Sequence, residues 1–211
     1  MLDNKGFDLW ADGYDKSVNI SEENNEYPFA GYKDVLNYIY NQVREQNESN
    51  ILDIGFGTGI LTTQLYNFGC SITGIDFSSN MIDIAKQKMP NATLINCDFS
   101  KGLPDEIKNK HFDYIISTYA IHHLTDKEKI KFIESLSSLL NVNGKILIGD
   151  VSFETRNKLE KSKEKYSDSW DNDEVYFVAE EIKKSLNSKY NCRYIKISHC
   201  AGVLVVTERI L

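Results

Sequence analysis

The stretch NILDIGFGTGIL (50–61) places an aspartate, Asp53, ahead of three glycines, Gly55, Gly57 and Gly59. Glycines at this spacing, between a short apolar run and a helical pattern, let the chain turn sharply and let its backbone approach a ligand closely. A dinucleotide fingerprint needs GxGxxG, and Ile60 stands where its third glycine belongs. The carboxylate discriminates further. At the end of a first strand it repels a pyrophosphate and suits a ligand that carries positive charge.

S-adenosylmethionine is such a ligand: its sulfonium and ammonium are cationic, and its one carboxylate can take amides near the start of the next helix. The following strand ends offer matching groups. In GIDFSSNMIDIAKQK (74–88), Asp76 is placed to accept from both ribose hydroxyls, and Met81 to pack on adenine. In LINCDFS (94–100), Asp98 is placed to accept from an adenine amino group. Three acids at three successive strand ends converge on one crevice beyond the carboxyl edge of a parallel sheet. Taken singly, Asp53 also suits an anchor for loop amides, Asp76 and Asp98 suit helix or turn caps, and Met81 suits a core position. Cys97 and Cys200 read as small buried hydrophobes.

The chemistry of the acceptor falls to STYAIHHLTDKEK (117–129). His122 and His123 are candidate bases by type, and packing or capping of a helix beginning near Thr125 is the competing reading. As metal ligands they lack a carboxylate or cysteine at convincing spacing, so no metal is expected. The Asn/Asp-Pro-Pro-aromatic motif of nucleobase amino methylation is absent here, which leaves a small acceptor. Methyl transfer from a sulfonium is an in-line displacement that needs alignment, exclusion of water and, for an alcohol or amine, removal of a proton.

The elements that must hold these residues alternate. Residues 32–46 put Leu36, Ile39, Tyr40 and Val43 on one helical face. Strands are expected at 50–54, 71–75, 92–97, 112–117 and 144–149, with helices near 58–67, 79–88 and 126–140: βαβ units in a parallel sheet covered on both faces. CRYIKISHCAGVLVVTER (192–209) gives two β-rich runs around Ala201 and Gly202, too close for anything but an antiparallel pair. With 211 residues and 41% hydrophobic content, one α/β domain over 1–211 is the economical reading. A net charge of −7 argues against a nucleic-acid partner. KEKIKF (127–132) and KLEKSKEKY (158–166) read as solvated helix faces. The four scattered cysteines, the missing apolar leader and the lack of an apolar run of about 18 residues point to a cytoplasmic protein with no membrane partner. Monomer and homodimer both remain open.

Together DIGFGTG, GIDFSSNMI, CDF and YIISTYAIHHL resemble the class I S-adenosylmethionine-dependent methyltransferases of small-molecule type, most strongly from Ile51 to Gly149. The resemblance implies a Rossmann-like, doubly wound seven-stranded sheet, mostly parallel, with its last strand antiparallel. It puts Asp53, Gly55 and Gly57 beside the methionine moiety and Asp76, with Phe77 next to it, on the ribose. Met81, Cys97, Asp98 and Phe99 fall around the adenine, and Thr118 and Tyr119 face the reactive methyl. WADGYDKSV (10–18) resembles the family's amino-terminal lid, so residues 1–30 are expected to close over the cofactor through Tyr14. A helical insertion over 150–190, with Arg156, Trp170, Asp171, Asp173 and Glu174, is expected to complete an acceptor pocket with Tyr14, Tyr119, His122 and His123. Trp170 and Tyr176 equally suit anchors of that insertion. A noncatalytic S-adenosylmethionine-binding protein and a nicotinamide-dependent oxidoreductase are the alternative functions.

Overall fold

The computed structural model describes residues 26–46 and 48–209. Its elements run α1 (Tyr32–Val43), β1 (Asn50–Ile54), α2 (Ile60–Asn67), β2 (Ser71–Asp76), α3 (Ser79–Lys88), β3 (Thr93–Asn96), β4 (Phe112–Thr118), α4 (Asp126–Ser137), β5 (Leu140–Phe153), α5 (Arg156–Lys165), β6 (Phe177–Val178), α6 (Ala179–Leu186), β7 (Tyr190–Lys196) and β8 (Ala201–Glu208). The strand order is β3-β2-β1-β4-β5-β8-β7. The first five strands of that path are parallel and β8 is antiparallel to both of its neighbours. The expected seven-stranded, mostly parallel sheet is therefore present. The two-residue β6 adds to it by pairing with the far end of β5.

The apolar runs of the central strands send alternate residues to opposite faces. Ile51, Ile116 and Leu147 join Val35, Ile39 and Leu65 on one side. Leu52, Ile115, Ile146 and Ile148 join Phe132, Ile133, Leu136 and Ile182 on the other. Burial on both faces is why these strands read as continuous hydrophobic runs.

β5 starts at Leu140, earlier than expected, because the helix before it ends at Ser137, and two further boundaries differ as well. β5 continues through DVSF to Phe153, because Asp150 and Val151 pair with Gly202 and Ala201 of β8, and Ser152 and Phe153 pair with β6. Asp150 thus belongs to the sheet and not to the insertion. The β7–β8 turn is residues 197–200, with Ala201 and Gly202 already in strand register. No helix among the described residues is long and apolar enough to cross a membrane.

Candidate active site

Strand order reverses between β1 and β4, and a parallel sheet opens a crevice at that switch point, beyond the carboxyl ends of its strands. The glycine turn forms one wall. Gly55, Gly57 and Gly59 have φ of 70°, 56° and 77°, a region that costs any side chain and that glycine enters freely. A Cβ on Gly55 would stand 2.5 Å from the Cβ of Ala120, whereas one on Gly57 would meet nothing within 4 Å among the described residues. Gly55 therefore permits close packing of the turn on the loop after β4, and among the described residues Gly57 leaves space above the turn.

Asp76 ties the turn to β2. Its Oδ2 accepts from the Gly57 amide at 2.8 Å and its Oδ1 from the Ser78 amide at 2.9 Å. Asp53 lies behind the turn, 1% exposed and outside the crevice lining. Thr62 Oγ1 donates to its Oδ2 at 2.5 Å, while Oδ1 has no hydrogen-bond partner among the described residues. Burial, opposed by that hydrogen bond and reinforced by the charge of Asp76, pushes its carboxyl up to about 7.

The crevice holds about 760 Å³ of atom-free space including its open mouth. Gly55, Gly57, Asp76, Phe77, Met81, Phe99, Thr118 and Tyr119 all border it. Cys97 and Asp98 do not. Asp98 caps the turn at 99–101, accepting from the Ser100 amide and hydroxyl at 3.1 and 2.5 Å, and pairs with Lys101 at 3.0 Å. The Cys97 thiol donates to the Gly102 carbonyl at 3.7 Å. The cap reading accounts for this acid, since an aspartate at a strand end serves a turn as readily as a ligand. Tyr14 and residues 1–25 lie outside the described residues. The open cradle over Gly57, the carboxylate of Asp76 and the apolar surfaces of Met81 and Phe99 fit the ribose and adenine of S-adenosylmethionine.

At the other end of the crevice, Ile121–His123 form a single 3-10 turn. Thr125, not a histidine, caps α4, in a reciprocal box with Glu128. His123 borders the crevice and His122 is buried behind it, their ring centroids 4.3 Å apart. His122 Nδ1 lies 2.7 Å from Asp150 Oδ1, and its Nε2 lies 3.4 Å from Glu174 Oε1. Burial works to lower the His122 pKa, but the charge and hydrogen bond of Asp150, with the charge of Glu174, leave it raised. His123, with burial and the charge of His122 both acting downward, falls to about 4.

Glu174 is the carboxylate that sequence spacing did not supply. Its strand of chain is held from two directions: the Val175 amide donates to His122 O at 2.8 Å, and Lys129 Nζ donates to Val175 O at 2.6 Å and to Leu124 O. Lys129 is 1% exposed, so this residue of KEKIKF is not on a solvated face. Its place with Phe132, Ile133 and Leu136 at helical spacing was the available signal.

The insertion contributes Glu174 to this corner but anchors itself with its aromatics. Trp170 stacks on Tyr27 at 5.1 Å and meets Tyr176 edge-on at 5.0 Å, and the Tyr27 and Tyr176 hydroxyls share a hydrogen bond. These contacts tie Trp170 and Tyr176 to Tyr27, and neither borders the crevice. Arg156 faces away, pairing with Glu181 at 2.6 Å and Asp126 at 3.8 Å on exposed surface.

A methyltransferase domain family matches residues 51–144. An uncharacterised methyltransferase of Anoxybacillus flavithermus is 38% identical over 154 residues, 73% of this chain and 69% of the relative. An uncharacterised methyltransferase of Bacillus cytotoxicus is 33% identical over 213 residues, 96% of each chain. Among solved structures, a DhpI–SAH complex superposes with a TM-score of 0.69 at 18% identity, covering 97% of this chain and 94% of that one. Magnesium protoporphyrin IX methyltransferase from Synechocystis, with bound SAH, gives 0.69 at 18% identity over 86% and 85%. These two likenesses concern the fold. Over nearly its whole length the chain belongs to this family of methyltransferases.

Proposed function

We propose that the protein transfers the methyl group of S-adenosylmethionine to a small polar acceptor bound between the loop after β4 and the segment around Glu174. The observation that carries this reading is the division of one crevice. Gly57, Asp76 and Met81 offer cofactor-type contacts at one end, and Tyr119 and His123 border the other.

The cofactor supplies a methyl carbon already attached to a good leaving group. The protein's part is placement. Asp76, fixed by the Gly57 and Ser78 amides, is oriented to accept from ribose hydroxyls without a search through rotamers. Met81 and Phe99 cover the adenine and keep water from it. Thr118 and Tyr119 stand at the end of β4, where the reactive methyl would lie. Tyr119 is held there at φ 50° by its amide, which donates to Gly149 O at 2.9 Å. His123, which borders the crevice, is the residue of the pair that would contact the acceptor or take its proton, and His122, buried behind it with its ring fixed by Asp150, would act through His123 and not on the acceptor.

A panel of small thiols, amines, alcohols and acids, assayed for S-adenosylhomocysteine formation, tests the reading. Turnover with one class is expected. Calorimetry with S-adenosylmethionine and with NAD tests the cofactor separately: binding of NAD alone would sink the proposal, and binding of S-adenosylmethionine without turnover of any acceptor would return the noncatalytic alternative.

A further inference from the structure

We propose that His122, His123 and Glu174 form a binding site for one divalent cation of the zinc type at the acceptor end of the crevice. One ligand atom from each of the three lies within 4.8 Å of the others. The separation of His122 Nε2 from Glu174 Oε1, 3.4 Å, is long for a hydrogen bond. It matches the edge of a tetrahedral site, about 3.3 Å for bonds of about 2.0–2.1 Å. A nitrogen pair with one carboxylate is a donor set that suits zinc and its first-row neighbours.

A second observation points the same way. Asp150 Oδ1 faces His122 Nδ1 at 2.7 Å from a strand where it is 1% exposed. A carboxylate on the far nitrogen fixes the tautomer, turns the other lone pair toward the ligand and is the usual outer partner of a metal-bound imidazole. The third ligand is braced as well, since Val175, next to Glu174, is held by both His122 O and Lys129 Nζ. Three protein ligands leave a fourth position open for a water or for the acceptor's own heteroatom. With the ion in place both imidazole lone pairs are committed to it, and the acceptor loses its proton because the cation polarises the bound atom. Binding of the ion is measurable before any acceptor is known.

Titration of the full chain with Co²⁺, and separately with Zn²⁺, tests it. One ion per chain is expected, with the visible d–d absorption of a tetrahedral nitrogen and oxygen site in the Co²⁺ form, lost when Zn²⁺ displaces it. Glu174→Gln and His123→Ala should each weaken Zn²⁺ binding about tenfold or more, and Asp150→Asn, which leaves all three ligands in place, by a smaller factor within the range for outer partners. Retained S-adenosylhomocysteine affinity in Glu174→Gln would show that the crevice survives, separating loss of the ion site from collapse of the cofactor site. Absence of stoichiometric Co²⁺ binding by the unaltered protein overturns the proposal. So does binding that Glu174→Gln and His123→Ala both leave unchanged, which would put the ion on a cysteine or another histidine.

Discussion

Lys129 Nζ donates at 2.6 Å to the carbonyl oxygen of Val175, a residue 46 positions further along the chain. Through this bond and its companion to Leu124 O, a buried cation joins the start of α4 to the segment that carries Glu174. Burial lowers its pKa, while the charges of Asp126, Asp150 and Glu128 oppose that. Lys129→Met keeps the volume of the stem but leaves two carbonyls without their donor. Each unmet buried group costs about 1–3 kcal/mol, offset in part by removal of a desolvated charge. Urea denaturation should show a net loss of about 1–3 kcal/mol, and the acceptor KM should rise more than kcat falls. Unchanged stability and KM together would show that the lysine braces nothing.

Gly55 and Gly57 make different demands on the same turn. Alanine at either position must enter the left-handed region, at roughly 1–2 kcal/mol. At Gly55 it also collides with Ala120, adding roughly 1–3 kcal/mol of overpacking. Gly55→Ala should therefore lower the denaturation midpoint more than Gly57→Ala. Gly57→Ala should lose S-adenosylhomocysteine affinity out of proportion to its stability, because the added methyl occupies the open side of the crevice. Equal affinity in Gly57→Ala and the parent protein would mean that the ligand does not approach this backbone.

Asp76→Ala removes the proposed ribose acceptor and the anchor of two backbone amides. A loss on the order of 1–3 kcal/mol in S-adenosylhomocysteine binding is expected by calorimetry, since a hydrogen bond to a charged group is at stake. Asp76→Asn, which keeps one acceptor oxygen, should fall between the two. If both folded variants bind as tightly as the parent, the ribose lies elsewhere.

The proposed cofactor half of the site was legible because its residues are consecutive with strand ends. The glycines and Asp76 sit at fixed offsets from β1 and β2, and a parallel sheet aligns those ends whatever the details of packing; Asp53, expected beside the methionine moiety, instead lies buried behind the turn against Thr62, because a strand-end acid can point into the core as readily as into the crevice. Asp98 shows the limit of that logic: the same offset after β3 serves a turn, and the competition between cap and ligand is decided by three-dimensional surroundings. The proposed acceptor half was legible only as a histidine pair. Asp150 reads as the start of an insertion until β8 pairs with it, and Glu174 reads as one acid among several until Val175 docks on His122 O. Both arrive through long-range packing that leaves no periodic trace. Trp170 was ambiguous for the related reason that aromatic residues suit pockets and anchors alike.

The carboxyl of Asp53, pushed up to about 7 chiefly by burial, predicts a pH-dependent stability. In the unfolded chain it titrates near its ordinary value of 3.8, so between that pH and about 7 the folded state binds a proton that the unfolded state does not. Folding is favoured by this group below pH 3.8, and the contribution is lost as pH rises through about 7. The charged group that faces it is Asp76, whose repulsion acts in the same direction, and Thr62 Oγ1 donates to it from α2. Asp53→Asn keeps an acceptor for Thr62 and removes the titration. Relative to this variant, the parent protein should be less stable at pH 8 than at pH 5, by a difference on the order of 1–4 kcal/mol. Contributions of all other groups cancel in the comparison. Proton release supplies an independent reading: near pH 5.5, unfolding of the parent should release about one proton more than unfolding of Asp53→Asn, because the deeply buried acid must ionise on exposure. Parallel stability curves for the two proteins from pH 5 to 8, with equal proton release, would show that Asp53 is ionised in the folded protein and that its desolvation is met by charge that the described residues do not supply.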